Sequence, residues 1–528
     1  MDAVGQPTSS AHDSLLHKGG TDAQPTKPTG DTSTTIWKAV VAVTILSAVS
    51  ALVGGIYVLT TGHTHVVIHF PLSDFGAEAI ALLVTVAVTT ASDALGYVHY
   101  SSLRWALYRE GRLEYNTNFR LFTGARTSLP NRWYMNLLSG TSSVLCYASA
   151  SVFIVKNIST RGGYAANGVG LVCLGLGLLG QAVVCILCLR HCDKEIPSWS
   201  PNPLQTTRVC VEDTGTIVTR PGRCMQSVCQ TSEPAQPTEP ALRHPRLWRM
   251  RCTRWIVVLL WILCAVSFGW AGIIIYLIET VPAEGSYHFK FDWNINGFDS
   301  VLSTVEFSMN QVYNNGAREG VNIPMGVQFF FAILFLCLIQ GLQFLALHCI
   351  EFLVNLMRDE QIWRKAGSSA GSSLCWNNPL FAALSSWQAV ILVVLKTALH
   401  WLLGQSLIAS YFIADLIDGD TYTAEYPKFG RFIFNMSASR LLVYATGAAL
   451  TAGFTTLLAF WPLRGSQPVT WGHLQTLADL IDDWDAPEGK LWWGDKGGKD
   501  DVRHAGTAGR RDIVGPIHMH QLYAGERM

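Results

Sequence analysis

The feature that most constrains this chain is a series of apolar stretches long enough to cross a bilayer. A hydrocarbon core of about 30 Å needs about 20 residues of helix at a rise of 1.5 Å per residue. Eight stretches meet that length, near residues 37–60, 77–98, 137–155, 167–189, 255–278, 327–349, 388–411 and 441–461. They predict an all-α fold class, a polytopic transmembrane helix bundle of about eight spans. The composition agrees, with 49% hydrophobic residues and only 14% charged ones. The formal net charge is zero, so no bulk field points to nucleic acid, and the partner expected is the lipid bilayer. Residues 1–35 are polar, too long and too weakly basic for a signal-peptide leader, and read as a disordered cytoplasmic tail ahead of an anchoring first span.

Charge sets the expected orientation, because Lys and Arg collect in cytoplasmic loops. The loop 99–136 carries Arg104, Arg109, Arg112, Arg120, Arg126 and Arg132, and the Cys/Pro-rich loop 190–253 is as basic. The loops 279–326 and 412–440 lean acidic instead. Spans 1–4 therefore fill 36–189 and spans 5–8 fill 254–461, with both termini, including the tail 462–528, in the cytoplasm. Two N-x-S acceptors, Asn157 and Asn435, fall in loops expected outside, which suits a glycoprotein. All thirteen cysteines lie in spans or cytoplasmic segments, which argues against a disulfide framework.

Small residues mark where helices can approach closely in lipid. Span 4 offers Gly168, Gly170, Gly175, Gly177 and Gly180, and span 8 offers Ala445, Ala449 and Gly453 at four-residue spacing.

The polar groups inside the spans need a different account. "LKTALHWLLGQ" sets Lys396 and His400 one turn apart on one helix face. A lysine at the middle of a span costs about 2.5–3.5 kcal/mol, so it should face the bundle and find a partner. Asp93 matches it in depth better than Glu351, which lies just past span 6 near His348. Gln181, Gln340 and Gln343 complete the candidate intramembrane polar site. Two readings stand: a buried ion pair that fixes helix register, or a site for a proton or substrate.

Other motifs are weaker. His63, His65 and His69 sit in one short loop, where incidental histidines compete with metal binding. His191, Cys192, Cys210, Cys224 and Cys229 lack the paired tight spacing of a zinc site, so no metal or other cofactor is expected. No nucleophile elbow, phosphate loop, HExxH or kinase set is present, which lowers an enzyme reading. In the tail, Leu474, Leu477, Ile481 and Trp484 recur at helical spacing and predict an amphipathic helix over 473–484, on the membrane surface or docked beneath the bundle. His504, His518 and His520 read as exposed tail histidines.

The segments "LRWALYREGRLEYNTNFRLFT", "NRWYMNLLS", "IPSWSPNPL", "LHCIEFLVNLMRDEQIWR" and "HLQTLADLIDDW…LWWGDK…RHAGTA" resemble an uncharacterised family of multi-pass integral membrane proteins of filamentous fungi. The resemblance runs from the first span to the C-terminus and implies a fungal source. It carries no assigned activity and so transfers no functional residue. Before span 6 that family often has a Pro-Gln pair, where this chain reads "STVEFSMNQVYNN", the mark of a divergent branch.

Two function classes follow. One is a transporter or channel-like protein with Lys396 and His400 at its polar site, although no repeat relates the two halves. The other is a non-transporting scaffold or sensor that uses the basic cytoplasmic loops and the C-terminal helix, with anionic lipid as a partner.

Overall fold

The computed structural model of the 528-residue chain describes residues 30–61, 66–157, 163–192, 196–213, 217–220, 222–227, 236–280, 289–293, 304–308, 323–374, 386–413, 430–499 and 501–524. Its helices are α1 (Gly30–Thr61), α2 (Asp74–Arg109), α3 (Trp133–Ala150), α4 (Gly168–Cys192), α5 (Pro203–Asp213), α6 (Arg251–Thr280), α7 (Met325–Ala366), α8 (Trp387–Ser406), α9 (Ala438–Phe460) and α10 (Leu474–Leu480). Seven of them, α1, α2, α4, α6, α7, α8 and α9, are long and apolar enough to cross a membrane. The protein is thus a multi-pass, integral membrane helical bundle. The third expected span falls on α3, which is not among the seven. It has 18 residues and buries Asn136, Ser139, Ser142, Ser143 and Ser149 among its neighbours. Its hydroxyls bond back along the helix, Ser143 to the Ser139 carbonyl at 3.0 Å and Thr141 to that of Leu137 at 2.9 Å.

The expectation of an all-α fold is corrected by two sheets. The first is six-stranded, built from β1 (Val67–Phe70), β2 (Ile154–Asn157), β3 (Tyr164–Asn167), β4 (Thr304–Ser308), β6 (Leu407–Ile413) and β7 (Gly430–Ser437), in the order β1-β3-β2-β6-β7-β4. Only β2 and β6 pair parallel. These strands are the segments beside helix ends, and three of them run straight into or out of a helix: β3 into α4, α8 into β6, β7 into α9. Joining them in one sheet gathers the ends of α1, α3, α6 and α8 and the starts of α2, α4, α7 and α9 at one end of the bundle. We call this end the sheet cap.

The opposite end is a platform. It holds residues 110–132, α5, the segment 236–250, α10 and a second sheet of β5 (Ser372–Ser373), β8 (Lys490–Lys499), β9 (Val502–Ala508) and β10 (Leu522–Tyr523), ordered β10-β9-β8-β5. At 42 residues, α7 is roughly 60 Å long, twice what a bilayer core needs, and its last turns are embedded in this platform. The end of α2 does the same, with Leu103, Arg104, Trp105 and Leu107 buried.

Three further expectations change. Residues 30–35 belong to α1, and residues 1–29 lie outside the described residues. The amphipathic helix stops at Leu480, because Leu474, Leu477 and Leu480 are all buried under the bundle and the chain then turns toward β8. The small-residue face of α4 packs closely: a Cβ on Gly168 would lie 2.9 Å from the Gly55 carbonyl oxygen, and one on Gly175 2.8 Å from that of Ala48, so α1 and α4 touch backbone to backbone. On α9, Ala445 and Ala452 are buried, but Gly453 faces open space.

Candidate functional site

The buried residues of α8 are Gln388, Leu392, Lys396, Leu399, His400, Leu403 and Ser406, a stripe at three- and four-residue steps. That stripe turns Lys396 and His400 inward together. The Lys396 Nζ donates to Asp93 Oδ1 of α2 at 2.9 Å and to Glu351 Oε2 of α7 at 3.0 Å. The ammonium thus bridges two carboxylates, where depth alone had favoured Asp93 over Glu351. His348, one turn before Glu351, places Nδ1 3.7 Å from the same Oε2, and its Nε2 accepts from the Leu121 N–H at 3.4 Å. Arg120 reaches in from the platform loop and donates to Ser139 Oγ at 3.2 Å. Around these groups lies a cavity of about 20 Å³, lined by Asp93, Arg120, Tyr147, His348, Glu351 and Lys396, with His400 at its wall. Such a space fits one water. It holds two cations and two carboxylates, so its formal charge balances.

One turn along α8, the His400 ring stacks on Tyr147 of α3, with centroids 3.6 Å apart and planes 6° from parallel. Its Nδ1 lies 2.7 Å from Gln340 Oε1, an acceptor, and 3.0 Å from Gln343 Nε2, a donor. Nδ1 therefore has a partner whether it carries the proton or the lone pair. Gln340 Nε2 in turn donates to Ser151 Oγ at 3.4 Å.

Beyond His400, toward the sheet cap, a second cavity of about 80 Å³ begins. It is lined by Asp74, Glu78, Lys156, Tyr164, Gln405 and Arg440, and again by His400. Its charges are paired across elements. Arg440 donates to Glu78 Oε1 at 2.7 Å and to Gln405 Oε1 at 2.6 Å, and its guanidinium sits 4.7 Å from the Trp293 ring centre. Lys156 reaches Asp74 at 3.2 Å, and the Tyr164 hydroxyl also donates to Asp74.

Of the six expected polar residues, Lys396, His400, Asp93, Gln340 and Gln343 come together. Gln181 does not join them; its Nε2 donates to Cys146 Sγ at 3.4 Å between α4 and α3. Tyr147, Arg120 and the vestibule set Asp74, Glu78, Lys156 and Arg440 were missed. The last four stand at helix starts and in strands, where a charge reads as an ordinary loop residue until the sheet folds them over the bundle.

The other motifs sort differently. Asn435 sits in the middle of β7, 7% exposed, with Nδ2 bonded to Ser410 Oγ at 3.0 Å. Asn157 ends β2 and is equally buried. A glycan on Asn435 Nδ2 would have to break that bond and open the sheet. His63, His65 and Cys229 lie outside the described residues, while His69 contacts the Tyr411 hydroxyl at 2.9 Å. Cys210 and Cys224 are buried in separate clusters, and no group of three metal-ligating side chains forms among the described residues. His504 is no exposed tail residue: it is buried and bonds Asp482 at 2.9 Å, whereas His518 and His520 are exposed. Comparison of the chain with protein-family models, with curated proteins and with solved structures finds no match.

Proposed function

We propose that the protein is a transporter or channel-like protein whose working element is the polar seam through His400. The observation that carries this reading is that His400 lines both cavities, the vestibule at the sheet cap and the inner space around Lys396. In this reading the ring takes up and returns a proton between the two spaces while Nδ1 exchanges one bond for another, accepting from Gln343 with the lone pair and donating to Gln340 with the proton. The balanced charges around Lys396 keep the inner space from holding an ion permanently, which conduction requires.

The reading takes α3 as an eighth crossing beside the seven long apolar helices. The helix α3 starts at the platform and ends at β2 in the same sheet that receives α1, α6 and α8, so it travels the full bundle although its hydropathy is low. With α3 counted, the start of α1 and residue 524 fall on the platform side, and the arginines of 104–132 and 243–254 favour a cytoplasmic platform.

The test is flux in liposomes of purified protein with a pH-sensitive dye inside, under an imposed potential. The expected outcome is proton entry that His400→Leu abolishes while thermal stability in detergent is retained. No flux by the unaltered protein, of protons or of small cations and anions offered in turn, would sink the reading. A second reading would then gain: a membrane scaffold or sensor, favoured by the rigid platform in which Asp359 and Glu360 are fully buried.

A further inference from the structure

At the platform end of the bundle, an apolar groove of about 490 Å³ opens between α6 and α9. Trp248, Val258, Trp261, Ile262, Ala265 and Phe460 line it, and the Trp248 and Phe460 rings stack at 4.6 Å. On α6 the lining residues continue a stripe that begins with a charge: Arg254 lies three and four residues before Val257 and Val258, and so on the same side of the helix. Arg251 lies one turn further out, and Arg249 directly follows Trp248 in the 3-10 turn that leads into α6. Beside this turn, Arg243 faces Arg464 across an isolated antiparallel bridge, an arrangement of like charges that is unfavourable on its own.

The flanking sequence is poor in acidic residues beyond Glu239. Residues 240–278 and 426–478 contain no Asp or Glu. Arg243, Arg246, Arg249, Arg251 and Arg254 are exposed, and none forms an ion pair among the described residues. Positive-inside topology explains basic residues at a cytoplasmic surface but not the placement of Arg249 next to Trp248 and of Arg251 and Arg254 on the helical side that carries Val258, Trp261 and Ala265.

We propose that this groove is a binding site for one anionic phospholipid, with an acyl chain laid against Trp261, Ala265 and the stacked Trp248–Phe460 pair and the phosphate held by Arg249 and Arg254. Basic pockets between membrane helices at a cytoplasmic face suit lipid headgroups, with each arginine adding about 1 kcal/mol. Arg243 and Arg464 supply the outer charge that a larger anionic headgroup would meet. The inference is independent of any flux through His400.

Native mass spectrometry of the full chain in neutral detergent tests it, with phosphatidylserine and phosphatidylcholine added in turn. The expected result is one retained phosphatidylserine, bound more tightly than phosphatidylcholine. Arg249→Gln with Arg254→Gln should weaken its retention roughly 25-fold, about fivefold for each arginine. Ala265→Trp, which fills the groove, should weaken it too, and Arg126→Gln, an exposed arginine elsewhere on the platform, should leave it unchanged. Because the changed arginines are exposed, those variants keep the fold. Equal retention of the two lipids, or no effect of the arginine changes, overturns the proposal. So does glycerophosphoserine, the headgroup without chains, if it competes as well as the lipid.

Discussion

Two pairs of carboxylates, one in the platform and one in the bundle, are held in opposite ways. In the platform, Asp359 and Glu360 are both fully buried. Asp359 Oδ2 accepts from Asn116 Nδ2 and Thr117 Oγ1, each at 2.9 Å, and Oδ1 accepts from Arg358 at 3.0 Å. Glu360 Oε2 accepts the backbone N–H groups of Thr470 and Trp471, each at 2.9 Å, and Oε1 meets Arg364 at 2.8 Å. Asp359 and Glu360 Oε2 thus accept hydrogen bonds from distant segments, while Glu360 Oε1 has the Arg364 cation beside it as an ion pair. In the bundle, Asp93 and Glu351 share the single ammonium of Lys396, and their side chains are 33% and 37% exposed. Hydrogen bonds to segments 116–117 and 470–471 make the platform pair a fixed strut. The bundle pair retains acceptor capacity for water or a proton, as a working site needs.

The largest expected effect comes from breaking the strut. Asp359→Ala leaves Asn116, Thr117 and Arg358 without their acceptor in a space closed to water, and removing one partner of a buried charge network costs about 3–5 kcal/mol. Unfolding in detergent should show a loss of that order. A loss under about 1 kcal/mol would mean that the platform opens to water and that the contrast is wrong. Gly472→Ala attacks the same point from the other side. Gly472 has φ of +73°, and a Cβ there would sit 2.8 Å from Asp359 Oδ2.

Lys396→Met should cost less, about 2–3 kcal/mol, because the two carboxylates it strands can hydrate or protonate through the cavity. Asp93→Asn alone should be mild, since Glu351 still holds the ammonium. Adding Asp93→Asn to Lys396→Met should recover part of the loss. A Lys396→Met protein as stable as the original would show that the triad contributes nothing to folding.

This contrast also tracks what the sequence revealed. Seven spans were legible because twenty apolar residues have few other uses, and Lys396 stood out because a charge in such a stretch demands a partner. Its helical neighbour His400 followed from a spacing of four. The partners supplied by other elements were harder. Asp93 lay in a span and was visible, whereas Arg120, in a loop full of arginines, carried no mark of being the one that turns inward. Strands such as β6 and β7 were absorbed into apolar runs or loops, because strands of seven and eight residues abutting a span continue its hydropathy. The platform hid most completely: Asp359 and Glu360 sit in "NLMRDEQIWR", which reads as a solvated helix end until segments from 110–120 and 464–472 fold onto it.

Protonation separates the two regions again, since the platform carries histidines shifted in opposite directions. Burial disfavours the His504 imidazolium, but hydrogen bonds to Asp482 and Cys224 outweigh it and raise the pKa to about 9 from 6.5. The folded state therefore holds this proton more tightly than the unfolded chain. The resulting stability is complete below pH 6.5 and is lost as pH rises toward 9. His473 is the reverse: burial lowers its pKa to about 4, so its contribution is present above pH 6.5 and is lost as pH falls toward 4. Platform stability should peak near pH 6.5, with limbs no steeper than about 1.4 kcal/mol per pH unit for each proton. Unfolding of His504→Gln across pH should flatten the alkaline limb. It should also weaken the acid side below about pH 4, because His504 holds the Asp482 carboxyl below its usual range. His473→Ser should flatten the acid limb alone. A change in the alkaline limb from His473→Ser would show that the two histidine sites are coupled.

The smallest effect expected is at the sheet cap. Ser73 caps α2, its Oγ accepting the Gly76 N–H at 3.1 Å, and Asp74 in the first turn adds a favourable charge at the helix N-terminus. Ser73→Ala should cost about 0.5–1 kcal/mol, at the low end of N-cap losses, because water reaches the exposed amide it frees. Asp74 would remain tied to Lys156 and Tyr164, so the vestibule should keep its shape and the proposed flux through His400 its rate. A loss several times larger, with flux impaired, would mean that the cap holds the vestibule open. The sheet cap would then be a strut as stiff as the platform, in contrast to the carboxylate pair around Lys396.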